Sequence, residues 1–241
     1  MVKVIAPVLA FLVLLSSTAC LAGQPSVLSE PPQNPKKEQR FLFYMHGAWI
    51  ERAGLYEPHP KYGIYEYGKI VKAFSEKGFT VISEVRTKRV NPEAYSRKIV
   101  GQINELLQKG VPPENITVTG HSKGGHMALL VATILSQPKV NFVIMAGGGR
   151  KGTRFGDEFQ RFVNRRAATL QGRILCLYDK SDQISGSCKE AFDRADKRTL
   201  KSREIVFHTG RDHGLFYKPD SIWVDQVIEW SRGNEPGSRA K

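Results

Sequence analysis

Short apolar-rich runs recur along the chain at 41–45, 80–85, 116–119, 140–145, 174–178 and 205–208, the first of them continuous and ending in His46-Gly47. A strand reads as a continuous apolar run only when both its faces are buried, which is the condition of a parallel sheet covered on both sides. The segments between them are spaced as helices. In 94–109, Ile99, Ile103, Leu106 and Leu107 share one face, and in 124–135 so do Met127, Leu130, Val131 and Ile134. A last amphipathic segment covers 222–230. This alternation predicts an α/β fold with a mainly parallel, doubly wound sheet flanked by helices, and a site at the carboxyl ends of its strands. With 241 residues, 41% of them hydrophobic and 24% charged, the chain falls outside the disordered, collagenous and polytopic membrane classes. One domain over 40–232 uses that length, and no internal repeat is visible.

The amino terminus reads as an export signal. Lys3 precedes an apolar stretch from Val4 to Leu15, and the small-residue run Ser16, Ser17, Thr18, Ala19 leads into Cys20. Twelve or so residues are too few to span a bilayer, which takes about 20. Cys20 resembles the acceptor cysteine of a bacterial lipoprotein signal, although Ser17 stands where such signals usually carry Leu; cleavage near Ala19 or Ala22 is the alternative. The signal peptide is thus placed at 1–22, for a periplasmic or membrane-anchored protein. Residues 23–39, rich in Pro, Ser, Gln and Lys, are expected to form a flexible tether, and 233–241 a frayed tail. Cys176 and Cys188, left after the leader, could pair in an oxidising compartment, or Cys176 could simply fill a strand.

Lys and Arg total 36 against 23 Asp and Glu, a formal charge of +13. Such a field draws in anions without identifying them. The basic residues are scattered and no nucleic-acid-binding signature aims them at bases, so no specific nucleic acid is expected. An anionic membrane surface fits equally well as a partner, and an ordinary solvated surface accounts for the charge without one.

The chemistry is concentrated where the run ending at Thr119 enters Gly120-His121-Ser122-Lys123-Gly124 and then a helix, a G-x-S-x-G turn in its strand-turn-helix context. Glycines at 120 and 124 leave room for a sharp turn that projects the Ser122 hydroxyl, and the N–H of Lys123 at the helix start can face a developing oxyanion. Serine needs a base within reach and a third group to orient that base. His213, in a loop after the last predicted strand, is the expected base, ahead of His208 in the strand run. Asp182, past the end of the preceding strand, is the expected acid, ahead of Asp179. Ser, Asp, His is the order such an architecture requires. The second oxyanion donor is assigned to the N–H of Ala48 in His46-Gly47-Ala48-Trp49.

These features, arriving in order from 41 to 230, resemble the α/β-hydrolase superfamily, in a compact form. The resemblance implies an acyl-transfer site, a structural role for His46 in shaping the oxyanion loop, and a glycine such as Gly214 after the catalytic histidine. It implies no substrate. The stretch 147–170 is too short for a large lid, so the site is expected to be open, with Trp49 and His121 as substrate contacts and Tyr56 nearby, suited to short or medium acyl esters. Glu84 and Arg86 could face the same cleft or form a surface ion pair. His126 is expected to be packed. No cofactor or metal is called for, because no His and Cys cluster has ligand spacing and the Gly147–Gly149 run fits no phosphate-binding pattern; it is expected to be a flexible rim loop. Asn115-Ile116-Thr117 matches a glycosylation acceptor but opens a buried strand. The expected activity is that of an exported carboxylesterase on a small-molecule ester, an acyltransferase or peptidase sharing the triad being the alternative. From a different class comes an envelope binding protein that keeps the scaffold without turnover.

Overall fold

A computed structural model describes residues 26–237, so the expected signal peptide and Cys20 lie outside the described residues. The chain runs β1 (Ser26–Leu28), β2 (Arg40–Met45), α1 (Ala48–Ala53), α2 (Tyr67–Glu76), β3 (Phe79–Ile82) and α3 (Pro92–Gln108). Next come β4 (Ile116–His121), α4 (Lys123–Ile134), β5 (Asn141–Met145), β6 (Gly148–Gly149) and α5 (Arg154–Arg165). It ends with β7 (Gly172–Asp179), β8 (Ser185–Gly186), α6 (Lys189–Arg194), β9 (Leu200–Phe207) and α7 (Ser221–Ser231). Seven strands form one sheet in the order β1-β3-β2-β4-β5-β7-β9, and each neighbouring pair is parallel.

Strand geometry sorts successive side chains to opposite faces, and β2 shows the result. Phe41, Phe43 and Met45 enter a core shared with α3, α4, α5 and α6. Leu42 and Tyr44 enter a second core closed by α2 and α7, around Phe74, Trp223 and Trp230. Helix starts are set locally: Asn91 and Thr153 cap α3 and α5 by accepting from Ala94 N and Gly156 N, and Asp220 caps α7 by accepting from Ile222 N.

The chain builds outward from β2 to β3 on one side, then returns to lay β4 on the other. Strand order therefore reverses between β2 and β4, and a crevice opens beyond their carboxyl ends. His46 follows one of these ends and Ser122 the other.

Three expectations are corrected. The segment expected to be a tether is in its described part an ordered border of the domain: Ser26–Leu28 pair with Thr80–Ile82, and Gln102 Nε2 donates to Glu30. The tail is docked as far as 237, since Glu235 bridges Lys201 and Arg203. The Gly147–Gly149 rim is no free loop, because Gly148 and Gly149 pair antiparallel with Gly186 and Ser185. No described helix is long and apolar enough to cross a membrane.

Candidate active site

Ser122 sits between β4 and α4 with φ 56° and ψ −119°, a left-handed conformation that a side chain adopts only under constraint. The constraint is backbone contact. A Cβ on Gly124 would stand 2.0 Å from Met45 O, and one on Gly120 would stand 2.5 Å from the Gly124 backbone. Neither glycine can be replaced without moving the turn. The Ser122 N–H donates to Met145 O at 2.8 Å, anchoring the turn to β5. Its side chain lies beside Gly47, and its hydroxyl makes no hydrogen bond among the described residues.

His213 and Asp182 meet from separate loops: His213 Nδ1–H donates to Asp182 Oδ2 at 2.8 Å, and both side chains are buried. Asp182 also accepts from Ser185 Oγ at 2.5 Å and from the N–H groups of Ile184 and Ser185 at 2.8 and 2.9 Å. Burial alone would raise its pKa, but His213 and these donors outweigh it and hold the carboxyl below its ordinary range. Asp179 is committed elsewhere, to Ser181 and Thr209. His208 is exposed past the end of β9. Ser122 and His213 are not hydrogen-bonded here; the ring of His121, the residue before Ser122, lies 4.6 Å from that of His213. Such contacts commonly tighten only when substrate binds.

The loops are held from outside. Asp212, at φ 58°, accepts from His213 N at 2.6 Å and from Gln183 N at 3.0 Å, and pairs with Lys61. Tyr62 packs on Gly214, where a Cβ would stand 2.7 Å from its ring. Cys176 and Cys188 form a disulfide with a Cα separation of 6.3 Å, closing the loop that carries Asp182 and Ser185. Those thiols and Glu204 form a group with metal-ligand proximity among the described residues, but the thiols are consumed by the bond.

On the other side, Ala48 and Lys123 are the first residues of their helices, and the N–H of neither is taken by another described group. His46 is fully buried and accepts at Nε2 from Arg86 N at 2.9 Å, so Nδ1 carries the proton and donates to Gly47 O at 2.8 Å. Burial and Arg86 push its pKa down to about 3.

The expected substrate contact of His121 is corrected: its ring is 1% exposed and engages Tyr65 Oη at 3.2 Å through Nδ1, so it faces inward. Burial, with His213 nearby, pushes its pKa well below the usual imidazole range. Trp49 is half-buried, stacked edge-on against His59 at 4.4 Å and donating to Glu57 O at 2.8 Å, so it braces the 54–66 loop. Tyr56 on that loop is 83% exposed. Glu84 and Arg86 part company: Glu84 pairs with Lys98, whereas Arg86 is buried against Glu51. His126 packs edge-on against Phe155 and Phe162, and burial lowers its pKa to about 4. Ser185, Asp212 and Glu51 carry no motif that marks them in the sequence. Only the position of Ser185, three residues past an acid in a Ser-rich turn, is a weak signal. Beyond the His213 loop, a cleft of about 750 Å³ opens between Tyr62, Gln183, Arg211 and Lys218; its walls do not include Ser122.

The lipase (class 3) family model matches residues 58–165, a span that holds Ser122 but neither Asp182 nor His213. No curated protein sequence matches the chain. Among solved structures, a fungal esterase from Rhizomucor miehei superimposes with a TM-score of 0.56 at 12% identity, covering 85% of this chain and 76% of that one. A sugar hydrolase from Lactococcus lactis gives 0.52 at 14%, covering 85% and 91%. An S-formylglutathione hydrolase from Agrobacterium tumefaciens gives 0.51 at 16%, covering 85% and 87%. At these identities the likeness is one of fold. Parallel sheet, reversed strand order and strained serine turn are together the arrangement in which serine hydrolases of this fold carry their nucleophile. The chain has the α/β-hydrolase fold.

Proposed function

We propose that this protein is an exported carboxylesterase acting on small esters of short or medium acyl chains, with Ser122 as nucleophile, His213 as base and Asp182 as its orienting acid. The observation that carries the reading is the Ser122 hydroxyl, without a hydrogen bond among the described residues, on its strained turn, together with a loop histidine already hydrogen-bonded to a buried carboxylate. In this reading Ser122 Oγ attacks the ester carbonyl carbon and passes its proton to His213 Nε2. Asp182 stabilises the imidazolium, and the oxyanion rests on the N–H groups of Ala48 and Lys123. His213 returns the proton to the departing alcohol, leaving an acyl-Ser122. Water, deprotonated by the same imidazole, then releases the acid.

A small substrate is supported by the short segment between β5 and β7, which holds α5 and no separate cap. The match to the lipase model and the esterases among the structural neighbours support ester chemistry. Export, lipidation of Cys20 and contact with an anionic membrane rest on the leader and the +13 charge. The test is labelling by a fluorophosphonate probe. The folded wild type is expected to label and Ser122→Ala to remain blank, with kcat on p-nitrophenyl butyrate lower by about 10⁴-fold or more. A folded wild type that stays unlabelled overturns the reading, and a preference for long-chain p-nitrophenyl esters overturns the substrate class.

A further inference from the structure

Behind the two N–H groups assigned to the oxyanion lies a buried charge cluster that the reaction scheme leaves unused. Glu51, one turn into α1, has a side chain only 5% exposed, and its two oxygens are divided between two cations. Oε1 accepts from Arg86 Nε at 2.7 Å, and Oε2 accepts from Lys123 Nζ at 2.5 Å. The Arg86 side chain is fully buried. It also donates to His46 O, its guanidinium lies 5.3 Å from the Tyr95 ring centroid, and its backbone N–H holds His46 Nε2. Lys123 Nζ donates further to Val90 O at 2.9 Å.

One carboxylate thus joins the helix that begins with Ala48, the His46-Gly47 turn before it and the residue after Ser122. Burying such a cluster costs desolvation energy that a well-packed apolar set would avoid, so it is a poor means of stabilising the fold. Its limbs end instead on the two elements whose N–H groups must stand at a fixed spacing. We infer that Glu51, acting through Lys123 and Arg86, is a positioning residue that sets the separation of the two oxyanion donors. The inference rests on Ser122 being the nucleophile. Charge on the oxyanion exists only at and near the transition state, so loss of this spacing lowers kcat while leaving KM nearly unchanged.

The experiment compares wild type, Glu51→Gln, Lys123→Met and Lys123→Arg on p-nitrophenyl butyrate, with melting curves and the affinity of a boronic acid that bonds to serine. Glu51→Gln is expected to lower kcat by about 10- to 100-fold, with KM within about twofold. Because that change strips Arg86 of its counter-charge, Lys123→Met serves as the second variant: it keeps the Arg86–Glu51 pair, cuts only the limb to the turn and lowers kcat in the same direction. Lys123→Arg restores most of the rate, and boronate affinity falls in step with kcat. Wild-type kcat in both disrupting variants, or losses that merely follow the unfolded fraction, overturns the inference; if wild type still labels and turns over ester, the hydrolase reading stands. A wild type that neither labels nor hydrolyses removes both.

Discussion

At the scale of single residues, the site is built by contacts too close for substitution. Gly124→Ala places a methyl where Met45 O now lies. It is expected to destabilise the protein by about 1–3 kcal/mol in urea unfolding. Displacing Ser122 by even an ångström is expected to cost about 100-fold in kcat. Ser185→Ala removes a hydroxyl that donates to a buried carboxylate, for an expected loss of about 1.5–3 kcal/mol in the same assay. Unchanged stability in Ser185→Ala would mean that a rearranged neighbour or water replaces the bond. The His213–Asp182 pair and the strained turn at Ser122 were legible because their residue types and loop positions answer a chemical requirement. Ser185, Asp212 and Glu51 were not, since their roles arise from pairings across the fold that spacing does not encode.

Elements were legible in proportion to their burial. β2, β4 and β5 lie inside the sheet, read as continuous apolar runs and fall within a residue or two of the expected bounds. β9 forms an edge, and its polar Lys201, Ser202, Arg203 and Glu204 hid all but its last residues. β1 was hidden by a Pro- and Lys-rich neighbourhood, although three residues suffice to pair with β3. The link between β7 and the loop before α6 carries its own prediction. Cys176 and Cys188 are 12 residues apart in sequence, and closing a loop of that order stabilises a fold by about 3 kcal/mol. Reduced protein, or Cys188→Ser, is expected to unfold more easily by about that amount. Equal stability with and without reductant would show that the crosslink contributes nothing.

Across the whole molecule, buried imidazoles tie stability to pH. Burial holds His46 near 3 and His126 near 4, and His121 well below its ordinary range, whereas in the unfolded chain each titrates near 6.5. Below about 6.5 the unfolded state binds protons that the folded state refuses, so stability is full above that pH and declines as pH falls toward the folded values. The slope is about 1.4 kcal/mol per pH unit for each ring. Melting temperature is expected to drop steadily from pH 6.5 to 4.5, and His126→Leu to lessen the slope by one ring's share; an identical slope in that variant would remove His126 from the account.

The edge strand at Ser26–Leu28 bears on how the protein can be trimmed. A recombinant version started at Arg40 would strip the cover from Thr80–Ile82 and leave a row of unsatisfied amide and carbonyl groups along the rim. Such a rim invites strands from other molecules. The trimmed protein would be expected to precipitate where one retaining Ser26 stays dispersed.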